Sequence, residues 1–84
     1  MAQVVIYITT YCPYCTAAKA LLRSKNVTFE EIDVTNDPER RSEMEDRSQR
    51  RTVPQIYIGE KHVGGYEELA ALDRAGKLEE LLSN

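Results

Sequence analysis

Tryptophan is absent from the 84-residue chain, and phenylalanine and histidine occur once each. Only two cysteines are present, which excludes a disulfide framework, so packing alone must hold the fold together. Four glycines and three prolines are too few for a linker or a low-complexity tract, and no internal repeat is visible. No apolar run approaches the roughly 20 residues of a membrane span. Positive charge is in deficit: 11 Lys and Arg against 14 Asp and Glu give a net charge of −3 and a pI of about 5.1. That balance argues against a general nucleic-acid binder. Met1-Ala2-Gln3 carries no basic region and no cleavage site, so no secretory signal is expected, and the default is a reducing, cytoplasmic compartment. The length predicts one domain, residues 1–84, that buries about 60–65% of its extended surface in a single modest core. A monomer is expected.

What is present centres on Thr10-Tyr11-Cys12-Pro13-Tyr14-Cys15, which holds both thiols. It follows the apolar run Val4–Ile8 and precedes a helical pattern with Ala18, Leu21 and Leu22 on one side. The thiols therefore lie where a strand hands over to a helix. Proline suits the first helical position, because no N–H is needed there and its φ is already helical. With Pro13 in that position, Cys12 is the N-cap, whose side chain accepts from the next amides, here Tyr14 and Cys15. Those donors and the helix dipole favour an anion, and the thiolate is the nucleophilic form of cysteine. Cys12 is thus expected to attack with a depressed pKa. Cys15, three residues on along the same helical face, is expected to resolve.

Two other uses of Cys-x-x-Cys are weaker. Structural zinc needs four ligands, and only His62 remains as another soft donor, so no metal is expected. A structural disulfide over so short a loop would stabilise little.

The continuous β-branched run Val4–Ile8 reads as a strand buried on both faces. A helix over Pro13–Lys25 and a strand over Val27–Val34 complete a right-handed parallel crossover. Alternation in that second strand is imperfect, since Phe29 and Ile32 fall on opposite faces. Asp37-Pro38 starts a second helix to about Arg47, with Met44 as essentially its only apolar residue. Arg40, Arg41, Arg47, Arg50 and Arg51 make this middle third basic, which for most of them means a solvated face. Gln55–Ile58 and Lys61–Val63 form a hairpin over Gly59-Glu60. Gly64-Gly65 then breaks the strand. A helix over Tyr66–Ala75, ended at Gly76, and a last patch of Leu78, Leu81 and Leu82 finish the chain. The pattern is βαβ, helix, hairpin, helix: an α/β fold with a four-stranded mixed sheet and helices on both faces.

Cys12-Pro13-Tyr14-Cys15, Thr52-Val53-Pro54 and Gly64-Gly65-Tyr66-Glu67 together resemble the dithiol glutaredoxins, over essentially the whole chain. The resemblance implies a thioredoxin-like fold with strand order 2-1-3-4. It also implies a glutathione-dependent thiol–disulfide oxidoreductase that takes glutathione as co-substrate and holds no tight cofactor. The catalytic residues it implies are Cys12 and Cys15. Val53–Pro54 would be a cis peptide bond, with Thr52, Val53 and Pro54 facing the cysteines and the Val53 backbone pairing with the cysteinyl part of glutathione as an added strand. Gly65, Tyr66 and Glu67 would hold the γ-glutamyl end, carboxylate on helix amides and ammonium on Glu67 or Glu68. Relatives usually carry Asp or Ser where Glu67 stands. Tyr14 would flank the tripeptide. Many relatives place a lysine where this chain has Thr9, so Arg41, or Arg51, is expected to supply the contact to the glycyl carboxylate.

The expected reaction reduces protein–glutathione mixed disulfides and protein disulfides, so the partners are glutathione and proteins carrying those bonds. Two rival roles are a thioredoxin-like donor reduced by a flavoenzyme and a glutathione-ligated iron–sulfur carrier. Pro13 is expected to hinder the cluster.

Overall fold

The computed structural model describes residues 3–83. The expectation for Met1 and Ala2 lies outside the described residues. The elements run β1 (Val4–Ile8), α1 (Pro13–Ser24), β2 (Phe29–Asp33), α2 (Pro38–Ser48), β3 (Gln55–Ile58), β4 (Lys61–Gly64), α3 (Tyr66–Arg74) and α4 (Leu78–Ser83). The sheet has the order β2-β1-β3-β4, with β1 parallel to β2 and antiparallel to β3, and β4 antiparallel to β3. β1 and β3 both pair on two sides, and β1 is also covered on both faces, so its residues are apolar throughout.

The period-2 alternation of β1 divides its side chains between two cores. Val4, Ile6 and Ile8 point to one face, where Ala18 and Leu22 of α1, Leu69 of α3, and Leu78 and Leu82 of α4 cover them. Tyr7 points to the other face and packs with Val34, Met44 and Tyr57. Helices α1, α3 and α4 thus cover one side and α2 the other. The single modest core expected from length is divided by the sheet into two.

The uneven alternation of β2 has the same cause. Phe29 packs against the first core and Ile32 against the second, so this edge strand gives one residue to each. It is shorter than the predicted Val27–Val34. Asn26 turns the chain at a left-handed φ of 59°, which ends α1 and delays the start of pairing. The thin apolar content of α2 is real, but Met44 is fully buried. Polar groups complete its packing: the Tyr7 hydroxyl donates to Glu43 at 2.6 Å and accepts from Arg47 at 2.7 Å. The Arg47 guanidinium lies 4.2 Å from the centre of the Tyr57 ring. Among the described residues no helix is long and apolar enough to cross a membrane.

Candidate active site

Cys12 is the N-cap of α1, with extended backbone (φ −138°, ψ 103°) and Pro13 after it. Its Sγ accepts from the Cys15 amide at 3.1 Å, and its carbonyl accepts from the Thr16 amide at 3.1 Å. Among the described residues the Cys15 amide is the one donor to this sulfur; Tyr14, expected to share the role, does not donate to it. A backbone N–H and the N-terminal end of a 12-residue helix are thus aimed at one sulfur. The loop before it is tied to the end of β2, where the Thr10 amide donates to Thr35 Oγ1 at 2.8 Å and the Thr10 hydroxyl reaches Asp33 at 3.3 Å. Thr35 donors in turn hold the Asp33 carboxyl below the usual carboxylate range.

Cys15 lies one turn below and is 2% exposed. Burial pushes its thiol up to about 12, and the hydrogen bond with Cys12 adds to the effect. The two sulfurs, both free thiols, therefore differ in access: Cys12 is half-buried and Cys15 buried. Burial thus keeps the Cys15 thiol protonated at pH 7, and the thiolate is the form that reacts. Iodoacetamide at pH 7 should accordingly label Cys12 and leave Cys15 unmodified, with Cys15 labelling appearing only as pH climbs toward about 12. Peptide mapping that finds equal rates would rule out this asymmetry.

Beside Cys12 runs an open groove lined by Tyr14, Arg50, Thr52, Val53, Pro54, Gly65, Tyr66, Glu67 and Glu68. Its near end meets Cys12, whose Sγ is 3.8 Å from the Val53 carbonyl. The Val53–Pro54 peptide bond is cis. Its far end is the N-terminus of α3, capped by Gly65. Tyr14 and Tyr66 meet across the groove with ring centres 6.3 Å apart. Tyr11 and Tyr14, exposed at 94% and 58%, bracket Cys12 in the sequence.

Seven of the sequence-predicted residues thus share this groove, and Cys12 stands at its end with Cys15 buried behind it. Arg41 does not line it. That side chain pairs with Glu45 at 3.5 Å, donates to the Arg51 carbonyl at 2.9 Å, and borders a different hollow with residues 34–38. Arg51 is 89% exposed and lies 4.0 Å from Glu45. The cation that does line the groove is Arg50, delivered there because Gln49 takes a left-handed φ of 59° at the end of α2.

Arg50 Nη1 donates to Glu68 at 2.9 Å, and the same Glu68 oxygen accepts from the Gly65 amide at 2.7 Å. Those two donors, the amide first, hold the Glu68 carboxyl below the usual range. Gly65-x-x-Glu68 is a capping-box spacing and could have been read from the sequence; nothing local marks Arg50. Gly64 is required where it stands: φ is +117°, and a Cβ there would lie 2.5 Å from the Glu68 carboxylate. Glu68 is thus occupied, which leaves Glu67 as the second acidic side chain at this end of the groove. Among the described residues no three His, Cys, Asp or Glu gather as a metal site.

A family model described as Glutaredoxin matches residues 4–63. The chain is 55% identical to a glutaredoxin of Pseudomonas aeruginosa, over 99% of each chain. It is similar to the solution structure of glutaredoxin from Brucella melitensis, with 54% identity and a TM-score of 0.87 over 98% of this chain and 89% of that one. It also superposes on a crystal structure of a buckwheat glutaredoxin–glutathione complex, with 28% identity and a TM-score of 0.89 over 98% of this chain and 77% of that one.

Proposed function

Because the chain belongs to the glutaredoxin family of thiol–disulfide oxidoreductases, we propose that it reduces protein–glutathione mixed disulfides and protein disulfides at the expense of glutathione. One observation carries the reading: the capped Cys12 sulfur stands 3.8 Å from the Val53 carbonyl, at the end of a groove that runs to the N-terminus of α3. The complex formed by the buckwheat relative supports glutathione as the groove's ligand.

The cysteinyl part of glutathione lies along the Val53 backbone, whose polar groups add a short strand contact. The γ-glutamyl carboxylate meets the α3 amides, and Glu67 faces its ammonium. Arg50 lines the groove and supplies positive charge to a ligand that carries two carboxylates. Arg41 acts one step back, by holding the Arg51 carbonyl. Tyr14 and Tyr66 flank the tripeptide.

The Cys12 thiolate attacks the glutathionyl sulfur. A Cys12–glutathione disulfide forms, and the substrate sulfur leaves as a thiolate that takes up a proton. A second glutathione thiolate then attacks the glutathionyl sulfur, which releases glutathione disulfide and returns Cys12 as thiolate. On a protein disulfide, Cys12 first joins one substrate sulfur, and Cys15 displaces it to form Cys12–Cys15, which two glutathiones reduce. Negative charge at Cys12 is among the causes that keep Cys15 protonated. Covalent attachment at Cys12 removes that charge and eases ionisation of the resolving thiol. Family potentials of roughly −200 to −230 mV lie near the glutathione poise, so both halves of the cycle run close to balance. Such a cycle turns in a compartment with a reduced glutathione pool, as in a cytoplasm.

The test is the electron source. A glutathionylated peptide should be reduced with NADPH, glutathione and glutathione reductase at a rate about tenfold or more above that with NADPH and thioredoxin reductase, a difference of about 1.4 kcal/mol in barrier. Turnover with thioredoxin reductase alone would assign the chain to the other electron supply.

A further inference from the structure

One wall of the groove is the segment 50–54, which precedes β3 and includes a proline without an N–H. Side chains from elsewhere hold it. The Ser48 hydroxyl, itself buried, bonds the Arg50 backbone, with the Arg50 amide donating at 3.0 Å. Arg41 donates to the Arg51 carbonyl at 2.9 Å. Gln55 Nε2 donates to the Thr52 carbonyl at 2.9 Å and to the Thr52 hydroxyl at 3.2 Å.

Gln55 is 0% exposed. Both hydrogens of its amide go to Thr52, so the remaining atom, Oε1, needs a donor of its own. His62 Nε2 lies 2.7 Å from that oxygen. The hydrogen of the imidazole is therefore on Nε2. The other neutral tautomer would offer a lone pair, turn the amide over and leave the Thr52 carbonyl without its donor. The ring is held in place by stacking on Tyr57, with centres 4.9 Å apart and planes at 30°. Burial, then the nearby Arg50 charge, lowers the His62 pKa from its ordinary value, with Glu68 opposing and Arg47 adding to the shift, which favours the neutral ring.

We propose that His62 and Gln55 are positioning residues for the glutathione groove: His62 orients the Gln55 amide, and the amide sets the Thr52–Val53 backbone at the height where it meets the glutathionyl cysteine. Neither residue lines the groove, and the chain of bonds reaches it from the far side of β3. The proposal rests on the glutathione reading above.

Two substitutions at half-buried His62 test it. His62→Leu removes the donor and keeps apolar bulk. His62→Gln puts an amide nitrogen close to the place of Nε2 and restores a donor. With a glutathionylated peptide as substrate, His62→Leu should raise KM about fivefold, equivalent to about 1 kcal/mol at about 1.4 kcal/mol per decade, while kcat stays within about twofold. Its Cys12 alkylation rate at pH 7 should match that of the wild type. His62→Gln should return KM to within about twofold. A purely structural role would lower kcat and melting temperature in both variants and leave KM alone.

The same peptide carrying cysteamine in place of glutathione serves as the control. If the wild type prefers the glutathionyl peptide and His62→Leu keeps the wild-type KM, or if Leu and Gln raise KM equally, the positioning proposal is overturned. If the wild type does not distinguish the two peptides, the glutathione reading fails and takes this proposal with it.

Discussion

Cys12→Ser should abolish reduction of a glutathionylated peptide, with a loss on the order of 10³-fold or more, because a serine hydroxyl in the same place is not ionised and is a poor nucleophile toward sulfur. The fold should survive the change. Serine is a preferred N-cap, and its oxygen can accept from the Cys15 amide as the sulfur does. Circular dichroism and a near-wild-type melting temperature would separate loss of chemistry from loss of structure. Cys15→Ala makes the complementary point. It fills the same buried site without an unpaired polar group, and it should retain reduction of the glutathionylated peptide within a few-fold, since that route uses one enzyme sulfur. Reduction of a protein disulfide should fall steeply, because no second enzyme sulfur remains to release the Cys12–substrate bond and glutathione must do so from solution. Activity at wild-type level in Cys12→Ser would remove the assigned nucleophile. Equal losses of both reactions in Cys15→Ala would remove the division of labour between the two sulfurs.

Met44→Ala should produce the largest loss of stability available on the α2 side. In this 11-residue helix the buried residues are Met44 and Ser48, and Met44 is the one apolar side chain that reaches the second core. Truncating a fully buried methionine costs about 2–5 kcal/mol in lost transfer energy and residual cavity. At about 3 kcal/mol, a domain of this size should melt roughly 12–24 °C lower. The surface contacts of α2 compensate poorly. Ion pairs such as Arg40–Glu43, at 3.3 Å with both side chains well exposed, contribute about 0–1 kcal/mol. The damage should also reach the groove, because Arg41, Ser48 and the turn at Gln49 hold the 50–54 segment from this helix. Asp46→Ala, on the exposed face of the same helix, is the control and should stay within about 0.5 kcal/mol of the wild type. Equal melting temperatures for the two variants would mean that α2 is held by its charges and that the second core carries no weight.

The order of elements was legible because each rests on a short-range rule. An unbroken apolar run made β1 the central strand. Cysteine before proline marked the cap of α1, and Asp37-Pro38 repeated the signal for α2. Glycine first in a two-residue turn closed the hairpin at Gly59, where φ is 62°. Patterns of that kind depend on neighbours one to four positions away, so a linear reading captures them. Even the irregular spacing of Phe29 and Ile32 was visible in the linear chain, although its meaning needed the two cores.

The cations and the buried polar groups were a different matter. Five arginines within twelve positions look alike in a linear chain, and the resemblance pointed to Arg41. In the folded chain a single left-handed residue, Gln49, turns Arg50 into the groove while Arg41 is taken up by Glu45 and the Arg51 carbonyl. Gln55 reads as an ordinary strand residue, and its link to His62 crosses the β3–β4 pair. Where a long side chain ends, and which backbone group it satisfies, depends on contacts between segments far apart in sequence. Periodicity and caps carry no trace of such contacts, so the residues that shape the groove from behind emerged only once the chain was folded.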